Sequence, residues 1–313
     1  MVAKVAIIGE CMLELSHRTE TQADAHRSMA LSYGGDTLNT AVYLSRLGVE
    51  VDYVTALGDD NMSDWMIEQW RKEGVGCDLV ERIAEGVPGL YTIQTDEHGE
   101  RSFLYWRDSA PAKRLFDNES KAQQLFYLLA QYEWIYLSGI TLALYSDSSL
   151  QRFIELMTEY RDGGGKIAFD GNYRPRLWSD SLNAQKAFES IYRLSVLALP
   201  TLDDELLLFG DKDRDAVVQR LRSWHVAEIG LKMGPEGCFV VTSSTQEIVE
   251  SRKVTVMDTT SAGDSFNAGY IAARIAGRTA QQAAEAGHNL ASVVIQHRGA
   301  IIPLEKMPAG SLQ

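Results

Sequence analysis

Short runs of β-branched and apolar residues alternate with longer stretches of helical period through most of this 313-residue chain, and that alternation restricts the fold more than any single motif does. Strand-helix-strand repetition builds a mostly parallel sheet, because parallel neighbours need a crossover and a helix supplies it. Buried strands are expected at 4–9, 51–57, 133–138, 166–170, 195–199 and 227–232. Amphipathic helices are expected between them, at about 37–47, 60–73, 119–130, 147–162, 203–209, 213–223, 263–276 and 279–296. No internal repeat and no Pro/Ser-rich linker divides the sequence, so it reads as one continuous α/β domain with insertions.

Two stretches break the pattern. Residues 89–107, GLYTIQTDEHGERSFLYWR, are two alternating strands around a turn at Asp96 to Gly99, which makes a β-hairpin. Residues 11–33 also alternate polar and apolar positions without helical period. Together they are expected to form a small sheet standing off the main one, a lid.

Charge excludes some functions. The chain carries 43 Asp and Glu against 30 Lys and Arg, a net charge of −13, which argues against a polybasic nucleic-acid or membrane-surface binder. Cys11, Cys77 and Cys238 show no metal-ligand spacing and read as buried thiols in a reducing compartment. The opening MVAKVAIIGE reads as a buried strand, and the longest apolar run, Trp134 to Leu144, is shorter than the roughly 20 residues a membrane span needs. A soluble cytoplasmic protein is expected. The six histidines form no H-E-x-x-H or triad pattern, and no G-x-S-x-G elbow points to a hydrolase.

The strongest local signal is DTTSAGDSFNAG at 258–269, followed by an apolar helical pattern. Small residues Ser261, Ala262 and Gly263 leave backbone N–H groups accessible where a helix begins, and the helix dipole adds positive potential there. That is an anion site. Asp264 at the helix start reads first as an N-cap, whose carboxylate would have a depressed pKa. Capping and catalysis are compatible, because phosphoryl transfer asks its base for position more than for basicity.

A second glycine motif, YGGDTLNTAVYLSRLG at 33–48, also opens a helix. Gly34 and Gly35 permit close backbone approach, while Asp36 and Asn39 offer polar groups at the turn; a plain turn and cap would look much the same. Neither motif is G-x-G-x-x-G or is followed by a Walker Lys-Ser/Thr, which argues against a Rossmann dehydrogenase or a P-loop enzyme. Other polar clusters fall where strand-helix loops belong. After strand 166–170 come Asn172, Arg174 and Arg176, and after strand 227–232 come Lys232, Gly234 and Gly237, the latter also readable as an ordinary β-turn. The hairpin brings Tyr91 opposite Tyr105, Trp106 and Arg107, which could equally be plain cross-strand packing.

With both glycine motifs in order, the sequence resembles the ribokinase-like (PfkB) family of carbohydrate kinases, from Val5 to about Pro303. The resemblance implies a three-layer α/β/α fold with a mostly parallel central sheet, one kinase domain over 1–313, and a β lid formed from about 11–33 and 87–110. It implies ATP and Mg2+ as cofactors and allows a monovalent cation. It makes Asp264 the base that takes the proton of a sugar hydroxyl, and the N–H groups around Ala262 and Gly263 the anion hole for the transferring phosphate. Gly34, Gly35, Asp36 and Asn39 would line the sugar pocket, closed by Tyr91, Tyr105 and Arg107, with Arg174 between sugar and nucleotide phosphates. Asn172, Lys232, Gly234, Gly237, Ser261 and Asn289 would border the nucleotide.

Within that family IGECMLEL, the lid sequence, NYRPRLW at 172–178 and RGAIIP at 298–303 resemble the branch acting on 2-keto-3-deoxygluconate, a sugar acid phosphorylated at its 6-hydroxyl. A carboxylate substrate needs a cation, and Arg107 beside Tyr105 would provide one. A kinase of the same fold for fructose or a related sugar acid, and a non-catalytic sugar-binding regulator, are the alternatives. Two positions depart from the family pattern. The acid expected shortly after the first strand is replaced by Glu14, and the N-x-x-E motif tied to magnesium by Thr201, Leu202, Asp203 and Asp204, followed by Glu205, so the metal ligands stay unassigned. The partners implied are a sugar acid and ATP, with no nucleic acid and no membrane, in a homo-oligomer. The surplus carboxylates are expected on the outer helices, leaving Arg107, Arg174, Lys232 and a helix N-terminus to hold two anions.

Overall fold

Apolar residues on both faces of the same strands place the main sheet in the middle of the molecule. In β1 (Lys4–Ile8), Val5 and Ile7 pack into one core while Ala6 and Ile8 pack into another on the opposite side. The computed structural model describes residues 3–17, 28–95 and 101–308. Its further strands are β2 (Met12–His17), β3 (Met29–Gly34), β4 (Glu50–Gly58), β5 (Val80–Ile83), β6 (Leu90–Thr95), β7 (Arg101–Trp106), β8 (Trp134–Ser138), β9 (Lys166–Asp170), β10 (Leu197–Ala198), β11 (Glu228–Lys232), β12 (Cys238–Val241) and β13 (Gln246–Val249). The helices are α1 (Asp36–Arg46), α2 (Asn61–Lys72), α3 (Glu119–Leu129), α4 (Gly139–Leu142), α5 (Asp147–Asp162), α6 (Ser181–Leu194), α7 (Leu202–Phe209), α8 (Arg214–Ser223), α9 (Ala262–Ile275) and α10 (Ala280–Val294).

A nine-stranded sheet runs β13-β12-β11-β10-β9-β8-β1-β4-β5, parallel from β5 to β11 and antiparallel at β12 and β13. Helices α1, α2, α9 and α10 cover one face, and α3, α5, α6 and α8 cover the other. The chain leaves β1 toward β4 on one side and β8 on the other, so a crevice opens at the carboxyl ends of these strands, where ligands of such sheets bind. A separate four-stranded sheet, β3-β2-β6-β7, stands beside that crevice and is formed by the two stretches without helical period. The turn expected at Asp96 to Gly99 lies outside the described residues.

Caps fix most helix starts. Asp60, Asn118, Ser146, Asp180 and Asp213 each accept a backbone N–H in the first turn, and Thr279 with Gln282 forms a capping box on α10. Several elements escaped the sequence reading. In α6 the buried Ala184, Ala187, Phe188, Ile191 and Tyr192 recur at helical spacing behind the Asp180 cap, a signal that was present. The edge strands β5 and β13 and the adjoining β12 are four residues each, too short for alternation to announce them. The strand expected at 195–199 shrinks to Leu197–Ala198; Leu199 still bonds the Phe169 carbonyl at 2.8 Å, and Pro200 after it has no N–H to continue the ladder. The three cysteines are buried and free. No helix among the described residues is long and apolar enough to cross a membrane.

Candidate active site

Helix α9 points its N-terminus into the crevice. Its N-cap, Ser261, sits in the left-handed region at φ 62°, a conformation a non-glycine residue adopts only when its surroundings impose it. Asn172, across the pocket, is also left-handed, at φ 32°. The Ala262 N–H is taken by the Thr259 carbonyl at 3.1 Å, whereas those of Gly263 and Asp264 find no acceptor among the described residues. The donors left open at this helix start are therefore those of Gly263 and Asp264 and not that of Ala262.

Asp264 is not the N-cap expected of it. It lies in the first turn, buried, with its Oδ2 accepting from Asn39 Nδ2 at 2.8 Å. Its pKa is accordingly raised, to about 7, rather than depressed: burial comes first, then the neighbouring Asp36 charge, against the Asn39 hydrogen bond, with Asp170 adding a further push upward. Asp36, at the start of α1, is also pushed up by burial and by Asp170, although Ser138, the Thr37 N–H and Asn172 donate to it. Asn172, expected to border the nucleotide, donates its Nδ2 to Asp36 Oδ2 at 2.7 Å across the pocket. Lys232, closing β11, gives its ammonium to Asp170 Oδ1 and Asn267 Oδ1, each at 3.0 Å, and Asn267 returns to Asp170 Oδ2 at 2.8 Å.

The glycines of the first motif are used by the protein itself. A methyl group on Gly35 would stand 2.2 Å from the Glu10 carbonyl, and one on Gly34 would stand 2.2 Å from the Tyr91 hydroxyl. Close approach is real, but it is backbone and lid that approach.

From the other side, β6 and β7 lay Tyr91 against Tyr105, directly paired across the strands with ring centroids 5.7 Å apart. Arg176 stacks over Tyr105 at 4.1 Å and donates to its hydroxyl. Arg107, expected to meet a substrate carboxylate, is ion-paired with Glu10; the Glu10 side chain is buried and that of Arg107 is largely covered. Glu10, immediately after β1, is the acid that lines the pocket, not Glu14, which accepts from Tyr91. Glu10 Oε1 is buried without a hydrogen-bond partner among the described residues. The open pocket has a volume of about 500 Å3, which suits a small ligand.

Residues 2–307 match the model of the pfkB family carbohydrate kinases. The chain belongs to this family. It is 45% identical over 97% of its length to a 2-dehydro-3-deoxygluconokinase of Dickeya dadantii, 98% of which is covered. It is 44% identical over 99% of its length to the protein of the same name from Escherichia coli K12, covering all of that chain. Its fold matches an Escherichia coli structure named as a ribokinase II, in complex with ATP and Mg2+, with a TM-score of 0.82 and 22% identity over 98% of this chain and 96% of that one.

In this carbohydrate kinase the two signatures, Arg174 and both lid tyrosines line one pocket. Gly234, Gly237 and Asn289 do not line it; they lie on its flank. A methyl on Gly237 would strike the Val249 carbonyl, and His288, next to Asn289, bonds that same carbonyl at 3.0 Å. The surplus carboxylates are not confined to outer helices. Glu10, Asp36, Asp170, Asp203, Asp204 and Asp264 all line the pocket, against Arg107, Arg174, Arg176 and Lys232. Glu205 is no candidate for metal: it is fully buried behind the site, held by Tyr192 and by Arg220 at 2.8 Å. Glu10 and Asn267 carry no signal in the sequence that marks them as site residues, while Asp170 and Arg176 stand in the strand-end cluster with Arg174 but have no role of their own assigned there.

A larger cavity, about 730 Å3, opens at the opposite ends of the strands between Lys166, Glu228 and Arg274. Its cations are already paired, Lys166 to Glu133 at 2.7 Å and Arg274 to Glu228 at 2.9 Å, and the helix start that faces it, Thr279–Gln281 of α10, is closed by the Thr279–Gln282 capping box.

Proposed function

We propose that the chain transfers the γ-phosphate of MgATP to the 6-hydroxyl of 2-keto-3-deoxygluconate (2-dehydro-3-deoxygluconate), giving 2-keto-3-deoxy-6-phosphogluconate and ADP. The observation that carries the reaction is Asp264, a buried carboxylate with its pKa raised to about 7 at the open N-terminus of a helix. Such a group is ionised in a useful fraction near neutral pH and basic enough to accept a hydroxyl proton. The sugar acid as substrate is supported by the relatives that share 45% and 44% identity over nearly the whole chain.

In the step, the O6 oxygen bonds to the γ-phosphorus as the bond to the β,γ-bridging oxygen breaks. The O6 proton passes to Asp264 and the electron pair leaves with ADP. Asn39 fixes the Asp264 carboxylate, and the free N–H groups of Gly263 and Asp264 face the charge on the transferring phosphate. Lys232, locked by Asp170 and Asn267, adds a positive charge beside Gly263. The lid tyrosines exclude water, which would otherwise take the phosphate.

The donor set fits magnesium brought in on ATP. No three metal-ligating side chains group together among the described residues, and Mg2+ commonly binds one or two carboxylates plus substrate phosphates. Asp204, on the pocket wall 3.3 Å from Arg174, is placed to be such a carboxylate. The ion supplies neutralisation of phosphate charge.

Homo-oligomer formation through the lid is part of the same reading. Leu31, Leu104 and Trp106 share the face of the small sheet turned away from Tyr91 and Tyr105, and each is more than 40% exposed. Sedimentation velocity of the wild-type chain and of a Trp106→Asp variant checks it; a wild-type monomer at micromolar concentration rejects it.

A coupled ADP-release assay across 2-keto-3-deoxygluconate, its galacto epimer, fructose, ribose and gluconate tests the function. The 3-deoxy keto acid should give the highest kcat/KM. A higher value for fructose or ribose rejects the assignment.

A further inference from the structure

A hydroxyl that no step of the reaction uses lies beneath the site. Tyr136, on β8, is 1% exposed, with its ring in the core on the α1 and α9 side of the sheet. Burial first, then the Asp170 and Asp264 charges, push its phenol pKa up, so the group keeps its proton and acts as a neutral hydrogen-bonding partner. Phenylalanine would fill the same space without burying an oxygen, and a buried oxygen is costly unless it is bonded.

The bonds lead to the chemistry. Asn267 Nδ2 donates to the Tyr136 hydroxyl at 3.0 Å, and Thr40 Oγ1 lies 3.4 Å from that hydroxyl and 3.3 Å from the Asp264 carbonyl. One oxygen on β8 thus joins α9 and α1. Asn267, fully buried, has its polar atoms committed: Nδ2 serves Asp170 Oδ2 and Tyr136, and Oδ1 accepts from Lys232. The Asp170 carboxylate can only accept, which settles the end of the amide that faces Lys232. Of the three ammonium donors of Lys232, two go to Asp170 Oδ1 and Asn267 Oδ1. The third is left for the space over Gly263, where the ammonium is the nearest atom to an added methyl, at 3.6 Å. Gly263 and Asn267 stand four residues apart on α9, on one face, so the helix with the open N–H groups also holds the lysine beside them. Without the Tyr136 hydroxyl one Asn267 N–H would be buried with no acceptor, and the amide would turn to relieve it, taking the ammonium along.

We propose that Tyr136 is a positioning residue for phosphoryl transfer, which through Asn267 holds the Lys232 ammonium over the Gly263 end of α9; the inference rests on the phosphate site placed there above.

The test is a double-mutant cycle of Tyr136→Phe and Lys232→Met, with kcat read at saturating MgATP and sugar well below the unfolding midpoint of each variant. Tyr136→Phe should lower kcat by about threefold to tenfold, the range for one net hydrogen bond, and Lys232→Met should lower it further. In the Lys232→Met background Tyr136→Phe should cost less than twofold, because the group it positions is gone. Asn267→Ala, which removes the link itself, gives a second cycle with the same expected pattern. A tyrosine that only stabilises the fold would lower the unfolding midpoint and leave kcat within twofold of wild type, or would lower kcat by the same factor in both backgrounds. Either result overturns the inference and leaves the function intact. Lys232→Met with wild-type kcat overturns the place given to the phosphate and the inference with it. A wild-type chain that phosphorylates another sugar but not the sugar acid overturns the substrate assignment alone, and the cycle is then read on that sugar.

Discussion

Asn39 Nδ2 donates to Asp264 Oδ2 across 2.8 Å, joining the two glycine motifs over 225 residues of sequence. The same α1 surface reaches α9 again through Thr40 Oγ1, 3.3 Å from the Asp264 carbonyl. The base is thus positioned by a residue of the substrate wall, so pocket and catalyst are set by one packing arrangement.

Asp264→Asn keeps size and hydrogen-bonding capacity but cannot take a proton. Turnover should fall by about a thousandfold, within the range for loss of general base catalysis. ATP affinity, measured by calorimetry, should stay within a few-fold. Turnover above a tenth of wild type would remove Asp264 from the role.

The raised pKa of Asp264 fixes the sign of the pH dependence. Only its ionised form accepts the proton, so kcat/KM should rise with pH through about 7 and level off above. Asn39 stabilises the ionised form, and Asn39→Ala should therefore move that limb to higher pH. A limb that stays in place in the variant contradicts the assignment.

Gly263 distinguishes catalytic from structural glycine. The nearest atom to an added methyl is Lys232 Nζ at 3.6 Å, an ordinary contact, and alanine is the better helix former by about 1 kcal/mol. Gly263→Ala should keep or raise the unfolding midpoint while kcat drops by tenfold or more, since the methyl enters the space assigned to phosphate. Unchanged kcat would place the phosphate elsewhere.

The buried Arg107–Glu10 pair predicts a pH-dependent stability defect. Arg107→Ala removes the charge and hydrogen bond that oppose burial in setting the Glu10 pKa, so that pKa climbs further above its unfolded value. A raised carboxylate pKa stabilises the fold below the unfolded pKa, and that stability is lost as pH rises through the folded one. Denaturant unfolding of Arg107→Ala should show a loss of about 3 kcal/mol at pH 8 and a smaller one at pH 5. Glu10→Gln should restore part of the loss in the double variant. Equal losses at both pH values would mean that Glu10 carries no buried charge.

Much of the site was legible along the chain, but not its internal pairing. Ser261, Gly263 and Asp264 announce a helix N-terminus because small residues and a helical pattern are local facts. Tyr91 and Tyr105 announce themselves through alternation around a turn. Which carboxylate each cation meets is not local. Arg107 reads as a free cation and meets Glu10, 97 residues away; Lys232 reads as a turn residue and meets Asp170, 62 residues away. Sequence order carries no signal of either encounter.

Periodicity by itself determined the layered fold, the small second sheet and the positions of both signatures, because strand and helix repeats are written into neighbouring residues. Tertiary structure decided the chemistry of the groups. It turned Asp264 from a capped, acidic carboxylate into a buried one near pKa 7, committed Arg107 to Glu10 and seated Arg176 on Tyr105. The reason is physical: pKa and pairing depend on desolvation and on charges a few ångströms away, and those distances exist only once the chain has folded.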